Sequence, residues 1–127
     1  GICLGFQILF NNSSEHGISQ GLNLIEGQVT NFKEVDKNIK TPHVGWNSCK
    51  FNLPSKLFEN VSDNSDFYFT HSYFASKIDK KFVISRTFYD FKFVSAVQKK
   101  NIYGVQFHPE KSQSAGLKLL KNFVDFC

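Results

Sequence analysis

The chain opens Gly1-Ile2-Cys3-Leu4-Gly5-Phe6-Gln7, and these seven residues say which fold to expect. Small, any, nucleophile, any, small is the pattern of a strand-to-helix elbow. Glycines flank the nucleophile because a tight, strained turn leaves no room for β-carbons, and the turn lifts the side chain above a helix N-terminus. The positive end of that helix favours the thiolate, the form of cysteine that attacks a carbonyl carbon. Taken alone, the same residues also fit a buried structural cysteine between two glycines. The elbow therefore needs a partner elsewhere in the chain.

That partner has to be a base that moves a proton between sulfur and leaving group, held by a third group that orients it. Four histidines compete: His16, His43, His71 and His108. His108 follows the apolar run Gly104-Val105-Gln106-Phe107, a core strand that ends at Pro109, and Glu110 lies two residues on. Its carboxylate is near enough to fix the imidazole tautomer and to stabilise the imidazolium. A lone histidine at a strand end is usually structural; a cysteine elbow in the same chain turns His108-Pro109-Glu110 into a base with its orienter.

Between these two ends the pattern is mostly β. An apolar run (Leu4, Ile8, Leu9, Phe10) predicts a buried helix over 4–11, stopped by Asn12-Ser13-Ser14. Strands are predicted at 28–32, 46–51, 67–74, 81–87, 91–97 and 102–107, all rich in β-branched or aromatic residues. Over 114–126, Leu117, Leu120, Phe123 and Val124 fall on one helical face with Lys118 and Lys121 opposite, and Ser112 or Ser114 can cap the start. With neither linker nor internal repeat, residues 1–127 read as one domain.

Composition narrows the class. The 127 residues are 41% hydrophobic and 16% aromatic, enough for a modest core and far from a disordered composition. The +4 net charge comes from lysines spread singly or in pairs around one arginine, Arg86, whereas a nucleic-acid footprint is a clustered basic stripe. No nucleic-acid partner is expected. No apolar run approaches the ~18 residues of a membrane span and no signal peptide is visible, so no membrane partner is expected either. Cys3, Cys49 and Cys127 are odd in number and lack metal-ligand spacing, so free thiols in a reducing compartment, and no metal, are the expectation. A chain that contains no methionine reads as a fragment of a longer product.

The two ends together resemble the two signature motifs of class I, triad-type glutamine amidotransferase domains. Pro42-His43-Val44-Gly45-Trp46-Asn47 and Phe69-Thr70-His71-Ser72-Tyr73, with Lys111-Ser112 after the glutamate, are similar to the glutaminase subunits of imidazole glycerol phosphate synthases. The resemblance runs from the first residue to the last. Anthranilate and aminodeoxychorismate synthase glutaminases share the elbow and His-Pro-Glu, but the Pro42–Asn47 stretch is not expected in them. A non-catalytic cyclase-binding module is the reading from another class.

The resemblance implies an α/β fold: a flavodoxin-like open sheet with the elbow at the carboxyl end of a central parallel strand and the N-terminal strands missing. It implies Cys3 as nucleophile, His108 as general acid and base, Glu110 as third member, and the Leu4 backbone N–H as an oxyanion donor. A second oxyanion contribution comes, in the family, from a glycine-containing loop upstream of the elbow. Gln7, Glu15 and backbone groups of Ser72 and Tyr73 match positions that hold L-glutamine, while His71 beside them reads equally as structural. Pro42, His43, Gly45, Trp46, Asn47, Tyr68 and Lys111 match subunit-facing positions, with Tyr68 and Lys111 close to the ammonia exit. The implied partner is a (β/α)8-barrel cyclase subunit in a cytoplasmic heterodimer of histidine biosynthesis, without a cofactor. Lacking its first strands, the isolated chain is expected to be unstable or prone to aggregate.

Overall fold

Aromatic and β-branched stretches build ten strands, as a computed structural model of residues 1–127 shows. A single-turn helix α1 (Leu4–Gln7) is followed by β1 (Asn12–Ser13), β2 (Ser19–Gln20), β3 (Gln28–Asn31), β4 (His43–Ser48), β5 (Lys50–Phe51), β6 (Asp66–His71), β7 (Tyr73–Ser76), β8 (Val83–Tyr89), β9 (Phe91–Lys99) and β10 (Ile102–Val105). Helix α2 (Gln113–Phe126) closes the chain. One open sheet runs β2-β1-β3-β7-β9-β8-β5 with β10 also on β9, and β4 pairs with β6 in a second, two-stranded sheet.

The open α/β sheet agrees with expectation, but its pairings are mainly antiparallel. Tight turns at Asp90 and Lys100, both in the left-handed region, join β8, β9 and β10, and connections that short permit only antiparallel neighbours. The parallel strand beneath the elbow is reduced to a bridge between Ile2 and Val105.

Three predicted elements change for local reasons. The helix expected over 4–11 stops at Gln7 because the carbonyls of Ile8, Leu9, Phe10 and Asn11 accept from the backbone of residues 21–25 instead of from the next helical turn. The strand expected over 46–51 divides at Cys49, whose N–H and carbonyl pair with Ser65 and Asn64, and the one over 67–74 divides at Ser72, whose carbonyl takes the Phe32 N–H. Each half then joins a different sheet, which is how β4 and β6 come to stand apart.

Helix α2 forms where expected but buries another face. Gly116, Leu119 and Asn122 point inward, while Leu117 is 64% and Val124 81% exposed and Phe123 is half exposed. Two contacts set this rotation. A Cβ on Gly116 would lie 1.9 Å from the Pro109 carbonyl oxygen, and the buried Asn122 amide donates to the carbonyls of Leu57 and Glu59. Ser112 precedes the helix but makes no capping hydrogen bond. The aromatic core lies between the sheets and α2, with Phe32, Phe67, Phe69, Phe93 and Phe107 almost fully buried.

The glycines supply a stability test. Gly116→Ala should destabilise by about 2 kcal/mol or more through overpacking against backbone. Gly5→Ala, whose Cβ meets nothing within 4 Å, should change stability by no more than about 1 kcal/mol. Thermal melts of the two variants read the contrast; equal melting temperatures would refute the packing of α2 on Pro109.

Candidate active site

Backbone pairing creates the elbow. The Val105 N–H donates to the Gly1 carbonyl and the Cys3 N–H to the Val105 carbonyl, both at 2.9 Å. Cys3 then turns at φ 50°, ψ −105° into α1. A non-glycine residue held at positive φ costs on the order of 1–3 kcal/mol, and the surrounding strand and helix must hold it there. The first flanking glycine is required, since a Cβ on Gly1 would fall 2.3 Å from the Gly5 carbonyl oxygen. The second is not: a Cβ on Gly5 would point into open space.

Burial works against the thiolate that the helix end favours. Burial pushes the Cys3 thiol above its ordinary value. The Leu4 N–H and the Gln106 amide work against burial, the Glu110 carboxylate adds to it, and Lys111 opposes. A helix of four residues has too few aligned peptide dipoles to win.

Strand β6 contacts both Cys3 and His108 through its backbone carbonyls. The Cys3 thiol faces the Thr70 carbonyl at 3.9 Å, and the His108 N–H donates to the Tyr68 carbonyl at 2.8 Å. These two residues are separated by one position on a strand, about 6.8 Å along it. Ser112 locks the joint, accepting the Tyr68 N–H at 2.9 Å and donating to the His108 carbonyl at 2.6 Å. The His108 Nδ1 lies 2.6 Å from Glu110 Oε1, so in the neutral ring Nδ1–H donates to the carboxylate and Nε2 keeps its lone pair. That Nε2 is buried and has no hydrogen-bond partner. A lone pair so placed is poised to take a proton.

Leu4, Gln7 and Glu15 line one pocket of about 270 Å³, together with Asn12, Ser13 and His16. The Glu15 carboxylate forms no ion pair within the chain. Gln7 has both amide protons committed, to the Tyr73 carbonyl at 3.2 Å and to Gln106 Oε1 at 3.1 Å, so only its Oε1 is left for a ligand. Ser72 and Tyr73 lie outside the lining of this pocket; Tyr73 reaches it only through Gln7. Gln106 is the residue that sequence reasoning missed. It is fully buried, and its Nε2 donates to Cys3 Sγ at 3.8 Å. Its signal was an amide between Val105 and Phe107 in a core strand, where burial demands partners. A wider depression of about 840 Å³, lined mostly by residues 51–63, holds neither cysteine nor histidine.

The proposed subunit-facing residues divide between two faces of the β4–β6 sheet. Pro42, Val44 and Trp46 are exposed; the Trp46 ring meets Tyr68 edge-on at 6.0 Å, and Lys111 Nζ sits 5.9 Å from the Tyr68 ring centre. His43 departs from the expectation, because strand alternation turns it inward. Its ring is buried, stacked between Phe69 and Tyr89. Asn47 shares that inner face, and Gly45 lies between them at φ 125°. No group of three or more His, Cys, Asp or Glu gathers to hold a metal ion, and no helix is long and apolar enough to cross a membrane.

An elbow cysteine and a strand-end His-Glu pair stand on one α/β scaffold. The family model "Glutamine amidotransferase class-I" matches residues 1–126, and the chain belongs to that family. It is 51% identical to imidazole glycerol phosphate synthase subunit HisH 2 of Methanococcus maripaludis over 98% of the chain and 60% of that protein. It is 46% identical to subunit HisH of Methanocaldococcus jannaschii over 98% of the chain and 62% of that protein. The chain thus spans about three-fifths of the length of these curated relatives. The crystal structure of a putative GMP synthase component from Thermoplasma acidophilum, 19% identical, superposes with a TM-score of 0.62 over 77% of this chain and 47% of that one, a likeness of fold.

Two titrations test the site. Alkylation of Cys3 followed by mass spectrometry should rise with pH to a midpoint above the ordinary thiol value; a midpoint below it would contradict the half-buried, protonated thiol. Burial also lowers His43 to about 4 and His71 to about 3. The unfolded chain therefore binds more protons than the folded one below about pH 6.5, and stability falls with pH by about 1.4 kcal/mol per unit for each ring. Melting temperatures between pH 6.5 and 4 should drop more steeply than those of His43→Asn/His71→Asn; parallel curves would refute the buried neutral pair.

Proposed function

We propose that the chain hydrolyses the side-chain amide of L-glutamine to glutamate and ammonia and delivers the ammonia to the cyclase of an imidazole glycerol phosphate synthase. One observation carries the chemistry: a buried, unpartnered His108 Nε2 whose opposite nitrogen is held by Glu110. The identity to HisH subunits across nearly the whole chain supports the assignment to that synthase.

The resting thiol gives its proton to His108 Nε2 as sulfur attacks the carboxamide carbon. Glu110 stabilises the imidazolium that forms. The Leu4 N–H, at the start of α1 beside the sulfur, donates to the oxyanion of the tetrahedral intermediate. His108 returns the proton to the amide nitrogen, ammonia leaves, and a glutamyl thioester remains. The same nitrogen then removes a proton from water, which opens the thioester to glutamate and restores the thiol. Glu15 and the Gln7 Oε1 both suit the α-ammonium group of glutamine.

Ammonia is useful to an acceptor only before water protonates it, so the hydrolytic site works docked to the enzyme that consumes the product. The outward face of β4–β6, with Val44, Trp46, Tyr68 and the cationic Lys111, is the proposed docking surface for a (β/α)8-barrel cyclase, in a heterodimer located in the cytoplasm. An exposed tryptophan beside a tyrosine is the kind of pair that anchors an interface.

Glutamine turnover measured with the cyclase and its ligand present should be abolished by Cys3→Ala and lowered about a hundredfold or more by Glu110→Gln. Trp46→Ala should weaken cyclase binding by about 1–2 kcal/mol in a calorimetric titration while leaving the triad in place. Unchanged turnover in Cys3→Ala would refute the triad assignment.

A further inference from the structure

His43 and His71, which the chemistry above does not use, form a buried contact between His43 Nδ1 and His71 Nε2 of 2.9 Å. Their protons can be placed by counting donors and acceptors. His71 Nδ1 lies 2.7 Å from the Tyr73 carbonyl oxygen. A carbonyl only accepts, so Nδ1 carries the proton and Nε2 is bare. Nε2 then accepts from His43 Nδ1–H, which leaves His43 Nε2 bare as well. It faces Asn47 Nδ2 at 3.3 Å.

The orientation of the Asn47 amide is fixed independently of the histidines. Its Nδ2 donates to the Phe88 carbonyl at 2.8 Å, and its Oδ1 accepts the Ser48 N–H at 2.9 Å. The end of the chain at Asn47 and the end at Tyr73 therefore demand the same direction. At Tyr73 the donor order reverses, because the carbonyl accepts from both sides. Its carbonyl also accepts one Gln7 amide proton, the second goes to Gln106 Oε1, and the Gln106 Nε2 is thereby turned toward Cys3 Sγ. Reversing Gln106 would set two amide nitrogens against each other, so the N–H that meets the sulfur is held in place by its neighbours.

We propose that His43 and His71 are positioning residues for the nucleophile: a hydrogen-bond network from Asn47 through both rings braces the Tyr73 carbonyl, and that carbonyl holds Gln7, which aims the Gln106 amide at Cys3. It rests on the reading of Cys3 as nucleophile, and it assigns His43 an interior task in place of an interface one. A neutral donor on sulfur favours the thiolate over the thiol, so the network tunes the atom that begins the reaction without touching substrate.

The test is made on the full chain and needs no turnover. Long-range nitrogen–proton NMR of the unsubstituted chain should show both rings as the Nδ1–H tautomer, and an Nε2–H tautomer at either ring would overturn the proposal. Alkylation of Cys3 by iodoacetamide at one fixed pH, with Cys127 as the internal reference, should slow about fivefold in His43→Phe, what one weakened hydrogen bond to sulfur is worth. His43→Asn keeps a donor where Nδ1–H stood and should recover the rate to within about twofold. Leu57→Ala, a core truncation away from the network, should lower the melting temperature and leave the rate unchanged. A folded His43→Phe that alkylates at the unsubstituted rate would overturn the proposal, and so would a slowing in Leu57→Ala of the same size. If His43→Phe does not fold, the tautomers decide. Normal tautomers and rescue together with absent glutamine turnover would refute the glutaminase reading and leave the network standing.

Discussion

Three backbone contacts between the first residues and β10 carry the site. The Gly1 nitrogen donates to the Tyr103 carbonyl, the Val105 N–H to Gly1, and the Cys3 N–H to Val105. They make residues 1–3 a short parallel strand, so the chain must turn sharply at Cys3 to enter α1. The turn puts the thiol at the strand end, and the same β10 leads directly into Gln106 and His108. Cys3, Gln106 and His108 are therefore delivered by two adjacent backbone segments, and β6 contacts Cys3 and His108 through the carbonyls of Thr70 and Tyr68.

Close packing and side-chain hydrogen bonds converge where His108 is held. Gly116 brings α2 against Pro109, Ser112 links Tyr68 to His108, and Asn122 fastens the helix to the turn before β6. The last helix thus braces His108-Pro109-Glu110. Its exposed stripe of Leu117, Phe123 and Val124 is what remains when small and polar residues dictate which side turns inward.

The motifs that bear chemistry were legible in the sequence because each is contiguous: the elbow in seven residues, the base and its orienter in three. What stayed hidden depends on contacts across the chain. Nothing near Gln7 signals that residues 21–25 will take the carbonyls that would have extended the helix. Alternation along 42–47 separates inward from outward residues only after β4 has a partner strand, which is why His43 reads as an interface residue in sequence and as a core residue in the fold. Gln106 looks like strand filler until its partners Gln7 and Cys3, about a hundred positions away, are brought beside it.

Everything in the proposed chemistry requires Cys3 to be the one thiol addressed by a glutamine-shaped site. Cys49 is buried, with its thiol pushed up to about 12 by burial, and Cys127 is exposed. A glutamine analogue with an electrophilic carbon at the carboxamide position, added at low molar excess and followed by intact-mass and peptide mass spectrometry, separates them directly. A single adduct on Cys3, blocked by excess L-glutamine, is the expected outcome. An adduct confined to Cys127, or labelling of Cys3 that L-glutamine does not slow, would overturn the assignment.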